Sequence, residues 1–273
     1  MWYTKNMSVR FCSFSSGSSG NSYLFASDGT VILIDAGIAG KKINAGLEAL
    51  GLSYPDVSAV LLTHEHSDHV KCVRTVVKKA ENALVYGSPG TLRAVGDYIP
   101  PGREMAFICE NGRFRIGDVT VDPFRLSHDA SEPTGFTLTA QGKSAAFLMD
   151  TGFVSDDEFA KVVDADLLVL EANHERNLLL AGPYPYSLKR RIIGDHGHLS
   201  NDDAAECLIK VIRERKNPAP PRVALAHLSA HNNSPDIAYL SIRNRLYDED
   251  LIENRDYTIT VLRRDEPGET LEL

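Results

Sequence analysis

Thr63-His64-Glu65-His66-Ser67-Asp68-His69 brings three imidazoles and a carboxylate together directly after the apolar run that ends at Leu62. Side chains alternate faces along a strand, so His64 and His66 point the same way at its end. Ser67 is a natural N-cap for a following helix, which puts Asp68 and His69 in the first turn, displaced sideways from the first pair. Two imidazoles in one direction, and a carboxylate with an imidazole in another, suit two neighbouring divalent cations. An H-E-x-x-H zinc helix is excluded, because that spacing would need histidine where Asp68 stands. Further donors sit where other apolar runs stop: His128 after FRLS, Asp150 after AAFLM, His227 after RVALA. Rigid elements would present all three at a sheet edge. We expect His64, His66 and His128 on one ion, Asp68, His69 and His227 on a second, and Asp150 bridging the two. Such donors accept Zn²⁺, Mn²⁺ or Fe²⁺.

The elements that must position these groups are legible as alternating and apolar runs. Strands are predicted at 9–14, 22–26, 30–35, 59–63, 83–87, 166–171, 222–227 and 257–262. Helices are predicted at about 39–50, with Gly51 as stop, and at 68–80, 89–98, 155–163, 185–193, 201–215 and 234–246. Hairpins are predicted around Gly117-Asp118 and around Gln141-Gly142-Lys143. Strand clusters with helices interspersed predict an α/β fold of two packed sheets with helices outside. Residues 1–8 read as an N-terminal arm with a second methionine, Met7, and 9–273 as one domain.

Hydrophobic residues make up 43% and charged residues 24% of the 273 residues, which is ordinary globular usage. No apolar run approaches a membrane span and no leader pattern opens the chain, so no membrane partner is expected. Cys12, Cys72, Cys109 and Cys207 are scattered, which suits a reducing cytoplasm. With 29 basic and 37 acidic residues the net charge is −8. That argues against general nucleic-acid binding, which rests on positive charge.

The run from His64 to His69, with His128, Asp150 and His227 and with Asp35 in ILIDAG, resembles the metallo-β-lactamase superfamily from about Val9 to Leu262. The resemblance implies an αββα sandwich with metals at one edge, and a role for Asp35 in orienting the metal-binding loop. Gly197-His198-Leu199-Ser200-Asn201 resembles the G-H-x-S element of members that cut nucleic-acid phosphodiesters, implying His198 near the leaving group and Ser200 near substrate. Glu171-Ala172-Asn173-His174-Glu175, the YPYSLKRRI stretch, AHLSAHNN and the Ser16–Ser22 run are similar to the YycJ/WalJ-type branch. That branch implies bacterial DNA exonucleases acting on duplex ends, and hence DNA repair. The interval from Asp150 to His227 is too short for the domain that larger nucleic-acid-processing members insert there.

Tyr184, Tyr186, Lys189, Arg190 and Arg191 interleave aromatics with cations, the combination a phosphate backbone with stackable bases would want. Asn21 is a candidate polar contact to substrate. Glu171, Asn173 and His174 arrive at a sheet edge and are expected behind the metal ligands. His196 and His231 are expected as phosphate or supporting contacts. Gly40-Lys41-Lys42 does not complete a phosphate-binding P-loop, since Asp35 stands where its first glycine belongs. The expected activity is metal-assisted phosphodiester hydrolysis. A hydrolase of small esters, lactams or thioesters on the same site, and a metal-dependent binding or regulatory module, are the alternatives.

Overall fold

A computed structural model describes residues 8–103, 105–108 and 112–273, so Cys109 and the arm up to Met7 lie outside the described residues. The first half supplies β1 (Arg10–Ser15), β2 (Ser22–Ala26), β3 (Val31–Ile34), β4 (Ala59–Leu61), β5 (Leu84–Gly87) and β6 (Met105–Phe107). The second half supplies β7 (Phe114–Ile116), β8 (Val119–Arg125), β9 (Thr134–Ala140), β10 (Lys143–Leu148), β11 (Leu167–Glu171), β12 (Arg222–Ala226) and β13 (Thr258–Val261). A last strand, β14 (Leu271–Glu272), returns to pair with β1. Two seven-stranded sheets result, ordered β14-β1-β2-β3-β4-β5-β6 and β13-β12-β11-β10-β9-β8-β7.

The helices are α1 (Gly40–Ala49), α2 (Ser67–Val70), α3 (Val73–Lys79), α4 (Pro89–Val95), α5 (Asp156–Val162), α6 (Arg176–Ala181), α7 (Tyr186–Ile193), α8 (Asn201–Glu214) and α9 (Pro235–Tyr247). Three apolar layers account for the stacking. Phe11, Tyr23, Ile34, Phe136 and Phe147 fill the space between the sheets. Leu24, Leu33, Val60, Ile43 and Val76 join the first sheet to α1 and α3. Leu148, Leu170, Leu208 and Ile242 join the second sheet to α8 and α9. Near-continuous burial along the central strands, which covers both faces of each sheet, is what forces this helix–sheet–sheet–helix order. The chain is therefore α/β, an αββα sandwich.

Both expected hairpins form. Ile116 pairs with Val119 across Gly117-Asp118, and Ala140 pairs with Lys143 across Gln141-Gly142. Gln141 and Gly142 both take positive φ, as a two-residue turn that matches strand twist demands. The helix expected over 68–80 is instead broken between α2 and α3. Cys72 N–H donates to Ala36 O at 2.9 Å, while the Asp68 and His69 carbonyls accept from Asn21 and Ala36 N–H. Those bonds replace the i→i−4 ladder and tie the metal-type run to the loop after β3. Ser67 does not cap: His66 occupies the N-cap and makes no side-chain cap bond, so Ser67 is the first helical residue. Helix α6 and strands β6 and β14 carry no period long enough to be read from sequence.

Candidate metal centre

β3 and β4 are parallel neighbours in the first sheet, as are β10, β11 and β12 in the second. Asp35, His64, Asp150, Glu171 and His227 all stand at or just past the C-terminal ends of these strands, so the two sheets deliver them to a common edge. Asp35, Asp150 and His227 take φ of 60°, 57° and 55°, a left-handed conformation uncommon outside glycine. Each turns its strand sharply and aims its side chain at the shared point. Strain of this kind persists only where the surrounding contacts over-determine it.

His64, His66 and His128 converge with donor atoms within 4.8 Å of one another, and so do Asp68, His69 and His227. His128 Nε2 is 3.3 Å from His66 Nδ1. Asp150 lies between the groups: Oδ2 is 3.3 Å from His69 Nε2, and Oδ1 is 3.2 Å from His227 Nδ1 and 3.9 Å from His128 Nε2. Asp68 Oδ2 is 3.4 Å from His69 Nε2 and 3.5 Å from His227 Nε2.

A buried frame orients these imidazoles. Asp35 accepts from Thr63 N–H, from Thr63 Oγ1–H, and from His69 Nδ1–H at 2.7 Å. With its own proton committed to Asp35, Thr63 Oγ1 can only accept at 3.0 Å from His64 Nδ1. That tautomer leaves His64 Nε2 as a lone pair, and this atom is buried with no hydrogen-bond partner among the described residues. An orphaned imidazole nitrogen facing two others is what a cation site requires of its protein. His128 Nδ1–H donates to Gly197 O at 3.0 Å, which likewise turns Nε2 to the cluster.

Electrostatics favour added positive charge. Burial, reinforced by His69, His128 and His66, drives His64 well below the usual histidine range, and burial lowers His128 too. Burial also opposes a charge on His69, yet Asp35, Asp150 and Asp68 hold it well above its ordinary value. His227 is pushed up to about 10 because Asp150, Asp68 and Glu171 outweigh burial. Against its own burial, Asp68 is held far below the carboxylate range by His227 and His69. Carboxylates this deeply buried demand cations, and divalent ions supply them more fully than imidazolium can.

Glu171 is fully buried, and His198 and His227 hold its carboxyl low although burial alone would raise it. His198 stands beside Asp150, with Nδ1 3.5 Å from Oδ1. Asn173 donates to His227 O at 3.0 Å and so steadies that loop. His174 is buried, with Nδ1 unpartnered, and burial lowers it to about 4. Asn21 is completely buried: its Oδ1 accepts from Gly17 N–H and Tyr23 O–H, which turns its NH₂ to Asp68 Oδ2 at 3.3 Å. It thus supports Asp68 from behind rather than lying on an open surface.

The remaining expected contacts are spread out. Ser200 Oγ caps α8 by accepting from Asp203 N–H. Lys189 Nζ is spent on Leu180 O and Gly182 O, at 2.6 and 2.7 Å. Arg191 pairs through two nitrogens with Asp129, whose Oδ1 is 3.5 Å from His128 Nε2. His196 Nδ1 meets Ser127 Oγ at 3.1 Å, and His231 is exposed against the Tyr184 ring. The sequence gives no individual role to Thr63, to Asp129 or to Ser16, whose Oγ accepts from His227 N–H. Only adjacency to His64 and His128 could have flagged the first two.

The chain belongs to the β-lactamase superfamily: residues 30–219 match the family model described as a beta-lactamase superfamily domain. It is a hydrolytic enzyme on a metallo-β-lactamase fold. Among curated relatives, the exodeoxyribonuclease WalJ of Streptococcus pneumoniae (serotype 2, strain D39) is 35% identical over 254 residues, covering 92% of this chain and 93% of that protein. The exodeoxyribonuclease YycJ of Bacillus anthracis is 36% identical over 238 residues, covering 86% and 88%. Among solved structures, the metallo-beta-lactamase fold protein YhfI from Bacillus subtilis superposes with a TM-score of 0.73 at 16% identity, over 97% of this chain and all (100%) of that one. Zn²⁺-bound PqqB from Methylobacterium extorquens gives 0.69 at 19% identity, with the same coverage. At these identities the two structures speak to the fold alone.

Proposed function

We propose that the protein is a metal-dependent DNA exonuclease that hydrolyses phosphodiesters at duplex ends. The observation that carries this reading is the convergence of two donor triads on Asp150, with the Glu171–His198 pair beside them. Exodeoxyribonuclease relatives spanning nearly the whole chain support DNA as the substrate. The sandwich over 9–273 serves as one catalytic domain with no large insertion. No helix among the described residues is long and apolar enough to cross a membrane, and Cys12, Cys72 and Cys207 are free thiols, which fits a cytoplasmic enzyme.

His64, His66 and His128 would hold one divalent ion, and Asp68, His69 and His227 the other, with Asp150 touching both. Zn²⁺ or Mn²⁺ suits these donors, and Fe²⁺ is compatible. The ions would supply Lewis acidity toward a non-bridging phosphate oxygen and acidify the attacking water. Asp68, whose side chain is 23% exposed where Asp150 is at 3%, is placed to orient that water. His198 donates its Nδ1–H to Glu171, which fixes the ring and leaves Nε2 as the atom that would protonate the departing sugar oxygen. One P–O bond forms to the water oxygen as the P–O bond to the sugar breaks.

End-labelled duplex and single-stranded DNA, digested with added Mn²⁺ or Zn²⁺ beside the His198→Ala variant, tests the reading. Shortened wild-type products, slowed in the variant and absent under chelator, are expected. Turnover of a chromogenic lactam or thioester with DNA left intact would instead identify a small-molecule hydrolase. DNA binding without product under any divalent ion would identify a binding module.

A further inference from the structure

The cationic run on α7 is divided among three tasks. Lys189 ties α7 to the C-terminal end of α6, and Arg191 reaches toward the cluster through Asp129. Arg190 is exposed and makes no ion pair or hydrogen bond among the described residues. Beside it lies a groove of about 610 Å³ lined by Leu180, Tyr184, Tyr186, Arg190 and Ile193. Tyr186 is 76% exposed there and Leu180 53%. Tyr186 and Arg190 are four residues apart on one helix, so ring and guanidinium share a face. A bare ring, an adjacent apolar wall and an uncommitted cation are the parts of a base-stacking and phosphate-pairing site.

The helix that lines the groove also reaches the cluster, through Arg191 and Asp129. Arg191 and Tyr186 are separated along α7 by about 7.5 Å of helix rise. A stacked strand advances about 3.4 Å per nucleotide, so along the helix axis Tyr186 stands roughly two nucleotides from Arg191 and on a different face of α7. In a chain of net charge −8, α7 carries Lys189, Arg190 and Arg191 and no acidic residue, a local excess that suits a polyanion.

We propose that this groove is a nucleobase subsite, in which an unstacked base of the DNA strand leaving the cluster lies on Tyr186 against Leu180 while its flanking phosphate pairs with Arg190. The proposal rests on the nuclease reading and adds a substrate preference to it. A base can offer its face to a tyrosine only after leaving the duplex stack, so ends with two or more unpaired nucleotides are preferred over blunt ends.

The test is steady-state kinetics of the metal-loaded full chain on tailed duplex, blunt duplex and bis(p-nitrophenyl) phosphate, a diester too small to span cluster and groove. Tyr186→Ala and Arg190→Glu are each expected to raise KM for tailed DNA about tenfold. Their kcat and their turnover of the small diester should stay at the wild-type level, and Tyr186→Phe should behave as wild type. Unchanged KM on tailed DNA, or an equal loss on the small diester, overturns the subsite and leaves the nuclease reading standing. Wild-type protein that cuts the small diester but no DNA overturns both.

Discussion

Glu171 Oε1 lies 2.8 Å from His198 Nδ1, and the carboxylate that makes this contact has no exposure to solvent. The same oxygen is 2.8 Å from His227 Nδ1, while Oε2 accepts from the backbone N–H of Thr151 and Leu199. One buried carboxylate therefore orients an imidazole of the second donor triad and the imidazole proposed to protonate the leaving group. Glu171→Gln keeps the size but loses the charge that both rings need. We expect nuclease turnover to fall about 10- to 100-fold, with reduced metal content by elemental analysis. Wild-type turnover together with full metal content would show that the contact is only structural.

His64→Ala and Asp150→Ala remove donors without removing packing from the three apolar layers. Both variants should keep the far-UV circular dichroism of the parent and lose nuclease activity. Elemental analysis should show one ion lost in the first and both lost or weakened in the second.

Divalent ions should also stabilise the fold, because only the folded chain brings the donors of the cluster together to bind them. An ion at 100 times its dissociation constant contributes about 2.7 kcal/mol to the folded state. For a chain of this size that corresponds to a rise in Tm of roughly 5–10 °C on adding Zn²⁺ or Mn²⁺ to chelator-treated protein. A Tm insensitive to both ions would contradict the donor assignment.

Gly37 sits where the loop after β3 crosses the start of α2. A Cβ at this position would lie 1.6 Å from Asp68 O and 2.8 Å from His69 N, so the backbone carrying both donors must move. Gly37→Ala should cost about 2 kcal/mol or more in urea unfolding and displace the second ion. Gly51→Ala, with open space around it, should leave metal content unchanged even though its φ of 70° imposes strain.

Burial lowers His174 from 6.5 to about 4. The unfolded chain thus takes up a proton that the folded chain refuses, so stability is full above pH 6.5 and is lost as the pH falls toward 4. In metal-free protein, His174→Gln should shrink the drop in unfolding free energy between pH 7 and 4.5 by about 2 kcal/mol. An unchanged drop would mean that the ring is solvated in solution.

The sandwich was largely readable from sequence, because alternation and apolar runs are local properties of a half-buried or fully buried strand. The break between α2 and α3 was not, because the carbonyls of Asp68 and His69 are claimed by Asn21 and Ala36, more than 30 positions away. Lys189 and Arg191 read as equivalent cations in one run, yet one fastens α6 and the other meets Asp129.

What the sequence determined by itself was which donor types end which strands, and therefore that a cluster of metal-type donors belongs at one sheet edge. The fold alone decided which carboxylate serves which imidazole: Asp35 with His69, Glu171 with His198 and His227. Those choices are made through space between β3 and the run after β4, and among β11, β12 and the loop before α8. Residue spacing encodes the direction a side chain takes from its own element, whereas its partner depends on which elements pack beside it.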